Sequence, residues 1–193
     1  GNISASASAQ VFIQKNLGYT DVFSSSTTST ARLAMPVTLS ETGEINSISI
    51  YHNGGTGNLI LGVYSDLGGY PSSLLGVTAS TTINSNAGWQ TVTLKNPVAV
   101  NSGQKVWLSW VFQTNPGIRY TTGTPGRAAS SAYWLSGMPA NYGTSTIAGN
   151  KYSIYCSYTT VNQEDATKPI VSAFNVPSTS SSLTVAVTGF TAT

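Results

Sequence analysis

The stretch Glu44-Ile-Asn-Ser-Ile-Ser-Ile-Tyr-His52 decides the fold. Ile48, Ile50 and His52 fall on one side of an extended chain, and Ser47, Ser49 and Tyr51 on the other. Alternation with a period of two predicts a strand with one buried and one wet face, the habit of antiparallel sheets. Working outward, Leu33-Ala-Met-Pro-Val-Thr-Leu39 reads as another strand, which Pro36 places at an edge or a bulge, and Val22-Phe-Ser24 as a short one. Asn53-Gly-Gly-Thr-Gly57 turns the chain into Asn58-Leu-Ile-Leu-Gly-Val-Tyr-Ser65, which predicts a hairpin. Trp89-Gln-Thr-Val-Thr-Leu94 alternates again. Lys105-Val-Trp-Leu-Ser-Trp-Val-Phe112 is the most apolar run, with Val106, Leu108, Trp110 and Phe112 on one face and Trp107, Ser109 and Val111 on the other. Lys151–Tyr158 closes the set, with Ile154 and Cys156 sharing a face. Trp89 and Trp110 are expected inside. Strand signals every eight to twelve residues, with almost no helical period, predict an all-β antiparallel sandwich of jelly-roll type.

The chain has 193 residues, of which 7% are charged, against roughly 25% in an average soluble protein. Ser and Thr are the commonest side chains, so solubility rests on neutral hydrogen-bonding groups, a habit of secreted and cell-surface β proteins. The net charge of +2 is scattered. No basic stripe is present to neutralise phosphates, which argues against nucleic acid. No apolar run is long enough for a membrane span, and the first ten residues lack a signal-peptide pattern. Cys156, the only cysteine, reads as a small core residue. Residues 1–19 are expected to be an extension or a strand, and 20–161 the sandwich. The charge cluster at 162–169 reads as a linker. Residues 170–193 read as the opening of a second domain or as extra strands packed on the first.

The runs Ile48-Ser-Ile-Tyr-His-Asn-Gly-Gly-Thr-Gly57, Leu61-Gly-Val-Tyr-Ser-Asp66, Gly88-Trp-Gln-Thr-Val92 and Gly103-Gln-Lys-Val-Trp-Leu108 resemble the non-catalytic jelly-roll modules of secreted bacterial multidomain proteins. The resemblance spans about residues 20–160, and the tail from Lys168 looks like the start of an immunoglobulin-like repeat. Many such modules bind carbohydrate or accompany polysaccharide-degrading enzymes, so the resemblance implies a polysaccharide or oligosaccharide partner. It is specific for a framework and says little about the ligand.

Catalytic chemistry is thinly supplied. His52 is the only histidine, and its place on the Ile48/Ile50 face suits a structural role better than a triad base. The six acids are Asp21, Glu41, Glu44, Asp66, Glu164 and Asp165. None lies inside an apolar strand, where burial would raise its pKa for acid work. No cofactor motif is present, and an enzyme is not expected. Asp66, in Tyr64-Ser-Asp-Leu-Gly-Gly69, is the one candidate metal ligand. It either helps hold a structural calcium or caps its own turn.

Aromatics carry the strongest signal. Sugar rings offer flat C–H faces edged with hydroxyls, which suit an exposed aromatic plane rimmed by amide, hydroxyl or guanidinium groups. The span 113–150 reads as a long irregular loop, and such loops are more often functional than accidental. It holds Arg119, Tyr120, Arg127, Tyr133, Trp134 and Tyr142. Either these rings and forks face a glycan, or they cover the loop and satisfy its carbonyls. Trp107, Tyr51, Tyr64 and Tyr155 fall on the outer faces of their strands, where they form a platform or are covered by the loop and tail. The expectation is an extracellular, non-catalytic carbohydrate-binding module. The competing reading is a structural subunit or adhesin that joins neighbouring domains or subunits by strand donation through Gln10-Val-Phe-Ile13 and the C-terminal strands.

Overall fold

The computed structural model describes residues 12–27 and 29–161. The expectations for a linker at 162–169 and for residues 170–193 lie outside them. Twelve strands follow in order: β1 Phe12–Gly18, β2 Ser25–Thr27, β3 Leu33–Thr38, β4 Gly43–His52, β5 Asn58–Leu67 and β6 Tyr70–Val77. Then come β7 Thr81–Thr82, β8 Gly88–Val100, β9 Lys105–Phe112, β10 Ile118–Ser130, β11 Ser145–Tyr152 and β12 Ile154–Val161. Every pairing among them is antiparallel, as expected of a sandwich. One layer runs β1-β12-β4-β8 and the other β3-β9-β5-β6. The long β10 joins them, meeting β4 at Ile118↔His52 and β3 at Ala128↔Ala34. Its partner β11 follows it through a bulge between Thr122 and Arg127. The chain crosses between layers from β3 to β4, from β4 to β5 and from β8 to β9, while β5, β6 and β7 stay in one layer.

The core lies between the layers. Ile45, Ile48 and Ile50 of β4, with Ile154 and Cys156 of β12, meet Leu33 and Met35 of β3 and Val106, Leu108, Trp110 and Phe112 of β9. The face assignments read from β4, β9 and the Ile154/Cys156 strand all hold. Trp110 is fully buried, which contributes about 4–6 kcal/mol before entropy is charged.

Four local expectations are corrected. β4 and β5 do not form a hairpin: β4 pairs with β12 and β8, β5 with β9 and β6. Residues 53–57 carry the chain across the end of the sandwich instead. Gly54 makes the passage at φ +86°, where an added Cβ would stand 2.3 Å from the Ser85 carbonyl oxygen. The span 113–150 is not a loop throughout, since β10 and β11 occupy most of it and only 113–117 and 131–144 lie outside them. Ser153 splits the last predicted strand into the end of β11 and the start of β12. The short strand expected at Val22–Ser24 appears at Ser25–Thr27.

Candidate functional site

On β4, the side chains opposite the core ones are Ser47, Ser49 and Tyr51. On β8, Gln90, Val92 and Leu94 point inward and are buried, so Trp89, Thr91 and Thr93 point outward. On β12, Tyr155 and Ser157 do the same, and on β1, Gln14, Asn16 and Gly18. Backbone register aligns these into rows: Tyr51 with Trp89, then Gly18–Tyr155–Ser49–Thr91, then Asn16–Ser157–Ser47–Thr93.

Three half-buried rings stand at one end of this face. Tyr51 and Trp89 meet edge to face with centroids 5.6 Å apart, and Trp89 meets Tyr155 at 4.9 Å and 61°. Trp89 and Tyr155 sit on strands either side of β4. The residue between them is Ser49, small enough to let the rings touch across it and itself 1% exposed. Its hydroxyl shares a 2.7 Å hydrogen bond with that of Thr91. Beside them, the Ser157 hydroxyl is bonded to Asn16 Oδ1 at 2.8 Å. The result is an aromatic row above a floor of hydroxyls and amides. The expectation that Trp89 lies in the core is therefore corrected. The signal was present, because Val92 and Leu94 inward require Trp89 outward.

Inside the same end of the sheet, His52 is spent on the fold. Gly54 N–H donates to Nδ1 at 3.1 Å, which fixes the proton on Nε2, from where it is donated to Gln90 Oε1 at 2.8 Å. Gln90 also accepts from Asn84 N–H and donates to the Thr82 carbonyl oxygen. Burial lowers the His52 pKa from its ordinary 6.5, opposed by the Gln90 bond.

The residues singled out from sequence do not form one site. Arg119 lies beside the aromatic row: Tyr51 N–H donates to the Ser153 carbonyl, and Ser153 N–H to the Arg119 carbonyl. Its guanidinium donates to Ser24 O at 3.1 Å. Tyr120 faces inward and stacks on Tyr152 at 5.6 Å and 30°. Arg127 lies half-buried on β10, with its Nε buried and without a hydrogen-bond partner. Tyr133 is exposed at 58%, and Trp134 is half-buried in the 3-10 turn Trp134–Ser136.

Tyr142 and Trp107 are corrected: neither is an open stacking surface. Tyr142 is 1% exposed, packed with Tyr64, Trp107, Ala34 and Ala128 on the outer side of β3, β9 and β5. The 131–144 segment covers this side and is held by Arg32, a residue that sequence reading passed over. Arg32 is buried and donates to the carbonyl oxygens of Gly137 and Tyr142 and to the Ser130 hydroxyl. Trp107 also forms one wall of a 480 Å³ groove with Tyr19, Pro36, Val37 and Ile147.

Asp66 takes the turn-capping role. Its Oδ2 accepts from Gly69 N–H at 3.2 Å, while Oδ1 accepts from the Trp107 indole at 2.8 Å. Both oxygens serve protein donors. Among the described residues no three His, Cys, Asp or Glu gather where they could hold a metal ion. No helix among them is long and apolar enough to cross a membrane.

Fold and surface together define a two-layer antiparallel β-sandwich domain with an aromatic row on one outer face. The chain belongs to the DUF4082 family, described as a domain of unknown function, which matches residues 18–131. That span includes Tyr51 and Trp89 but not Tyr155. No curated protein matches the chain, and no solved structure does.

Proposed function

We propose that the domain is a non-catalytic polysaccharide-binding module, and that the glycan rests on the outer face of β12-β4-β8. The observation that supports this most is the Tyr51–Trp89–Tyr155 row, half-open and edged by Ser49, Thr91 and Asn16. Rings held against one another cost little further entropy on binding, and the hydroxyl-rich floor offers both donors and acceptors to sugar hydroxyls. The location consistent with this role is extracellular. A stack or two with a few wet hydrogen bonds amounts to about −4 to −7 kcal/mol, or about a millimolar to about ten micromolar.

Affinity electrophoresis through gels carrying soluble plant, fungal and algal polysaccharides tests it. Retardation by at least one glycan is expected, lost in Trp89→Ala and kept in Tyr133→Ala. No retardation by any glycan, or retardation unchanged in Trp89→Ala, overturns the reading.

A further inference from the structure

The outer face does not end at the aromatic row. Along β1 the outward positions continue from Gly18 through Asn16 and Gln14 to Phe12, with Gly18 opposite Tyr155 and Gln14 opposite Thr159. Phe12 is 63% exposed. It forms one wall of a 620 Å³ groove whose other sides are Thr42, Gly43, Glu44, Ala99 and Thr159. Gly18 and Phe12 are six residue steps apart along the strand, so this groove lies about 20 Å from the Tyr155 ring along the strand direction.

Between the two ends the exposed side chains are neutral: Gln14, Asn16, Thr91 and Thr93, with Ser47 and Ser157 as floor. Among the described residues the charged groups near this face are few. Arg119, already bonded to Ser24 O, is beyond Tyr51, Glu44 is beside the Phe12 groove, Lys95 lies toward Leu74 and Leu75 of β6, and Lys15, which alternates away from Gln14 and Asn16 on β1, is paired with Glu41. An anionic sugar would therefore lose water without gaining a counter-charge along most of the face, whereas a neutral sugar finds hydroxyl and amide partners throughout.

Resting on the reading of this face as a glycan site, we infer that the ligand is an uncharged polysaccharide lying along the strands from the Trp89 row to the groove beside Phe12. The Trp89 row is the primary contact, and the Phe12 groove is a second subsite that only a long chain reaches. Two subsites linked through one ligand act by effective concentration, so affinity rises once the chain bridges both.

Calorimetric titration of the whole chain with β-1,4-glucan, β-1,3-glucan and β-1,4-mannan oligomers from dimer to octamer tests this, with polygalacturonate as the anionic probe. For the series that binds, affinity is expected to rise at least roughly tenfold between the shortest and longest oligomers. Phe12→Ala should abolish that rise and leave dimer affinity unchanged. Polygalacturonate should bind more weakly than the neutral polymer at low salt. Equal affinity for dimer and octamer, a rise that survives Phe12→Ala, or preference for the polyanion each overturns the inference while leaving the Trp89 site intact. Loss of all binding in Trp89→Ala with no effect of Phe12→Ala upholds the simpler site and overturns the extended one. Absence of binding by every probe removes both.

Discussion

The Arg32 guanidinium lies 4.8 Å from the centroid of the Tyr142 ring, and the Tyr142 hydroxyl donates back to the Arg32 carbonyl oxygen at 3.0 Å. No carboxylate shares this arrangement. A buried cation is held through its two terminal nitrogens by two carbonyls and a hydroxyl and through its plane by an aromatic face, while its Nε–H is buried without a partner. Burial above all, with the neighbouring Tyr64, pushes the Tyr142 phenol well above its ordinary pKa, opposed by the Arg32 cation. The pair fastens the 131–144 segment over Tyr64 and Trp107.

Arg32→Lys is expected to destabilise the domain by about 2–4 kcal/mol, because an ammonium cannot reach three acceptors in one plane. Urea unfolding measures the loss, and limited proteolysis should show a new cut inside 131–144. Unchanged stability with no new cut would show that the segment is held by its apolar contacts alone.

Protonation of His52 breaks the bond in which Nδ1 accepts from Gly54. Because burial lowers its pKa, the folded state takes up the proton less readily than the unfolded chain. Its contribution is complete above about pH 6.5 and shrinks as pH falls through the folded value. The groups facing the ring are Gln90, Gly54 and Phe112, none of them charged. Melting temperature is expected to fall between about pH 7 and pH 5. In His52→Gln the domain should be less stable at neutral pH but flatter across that range. An equal slope in both proteins would assign the acid sensitivity elsewhere.

Cys156 lies in the core, and burial raises its thiol pKa to about 12. The native protein should therefore resist aromatic disulfide reagents at pH 8 and react only at the rate of opening. One equivalent should be released in denaturant. Rapid labelling of the folded chain would contradict the packing of β12 on the core.

Ser49→Leu tests the aromatic row without removing a ring. A larger side chain wedges Trp89 from Tyr155, so the near-ultraviolet dichroism of the edge-to-face pair should change and glycan retardation should fall at least severalfold. The exposed control Ser136→Ala, in the 3-10 turn away from this face, should do neither. Retention of both signals in Ser49→Leu would mean that the rings do not depend on the small residue between them.

The strands that could be read from sequence are those where one face is apolar and the other is not: β4, β9 and the Ile154/Cys156 strand. β10 escaped because Arg119–Ser130 contains almost no apolar alternation. Its extended form comes from pairing with β11, β2, β3 and β4 rather than from its own pattern. The site was half legible. Alternation put Tyr51 and Tyr155 outside, but the weight given to aromatic burial drew Trp89 inward against the parity set by Val92 and Leu94. Arg32 carried no local signal, since its partners Ser130 and Tyr142 lie 98 and 110 positions away.

The first and last described strands are neighbours, with Phe12 opposite Val161. The Ser157–Asn16 bond spans 141 positions of chain. A nascent chain leaving the ribosome would thus hold β4 paired with β8 and, at His52, with β10, and β1 without a partner among the described strands, until β12 emerged. Such distant pairing places the domain among slow folders, in the millisecond-to-second range. It also makes the arrival of β12 the step that completes the layer carrying the aromatic row.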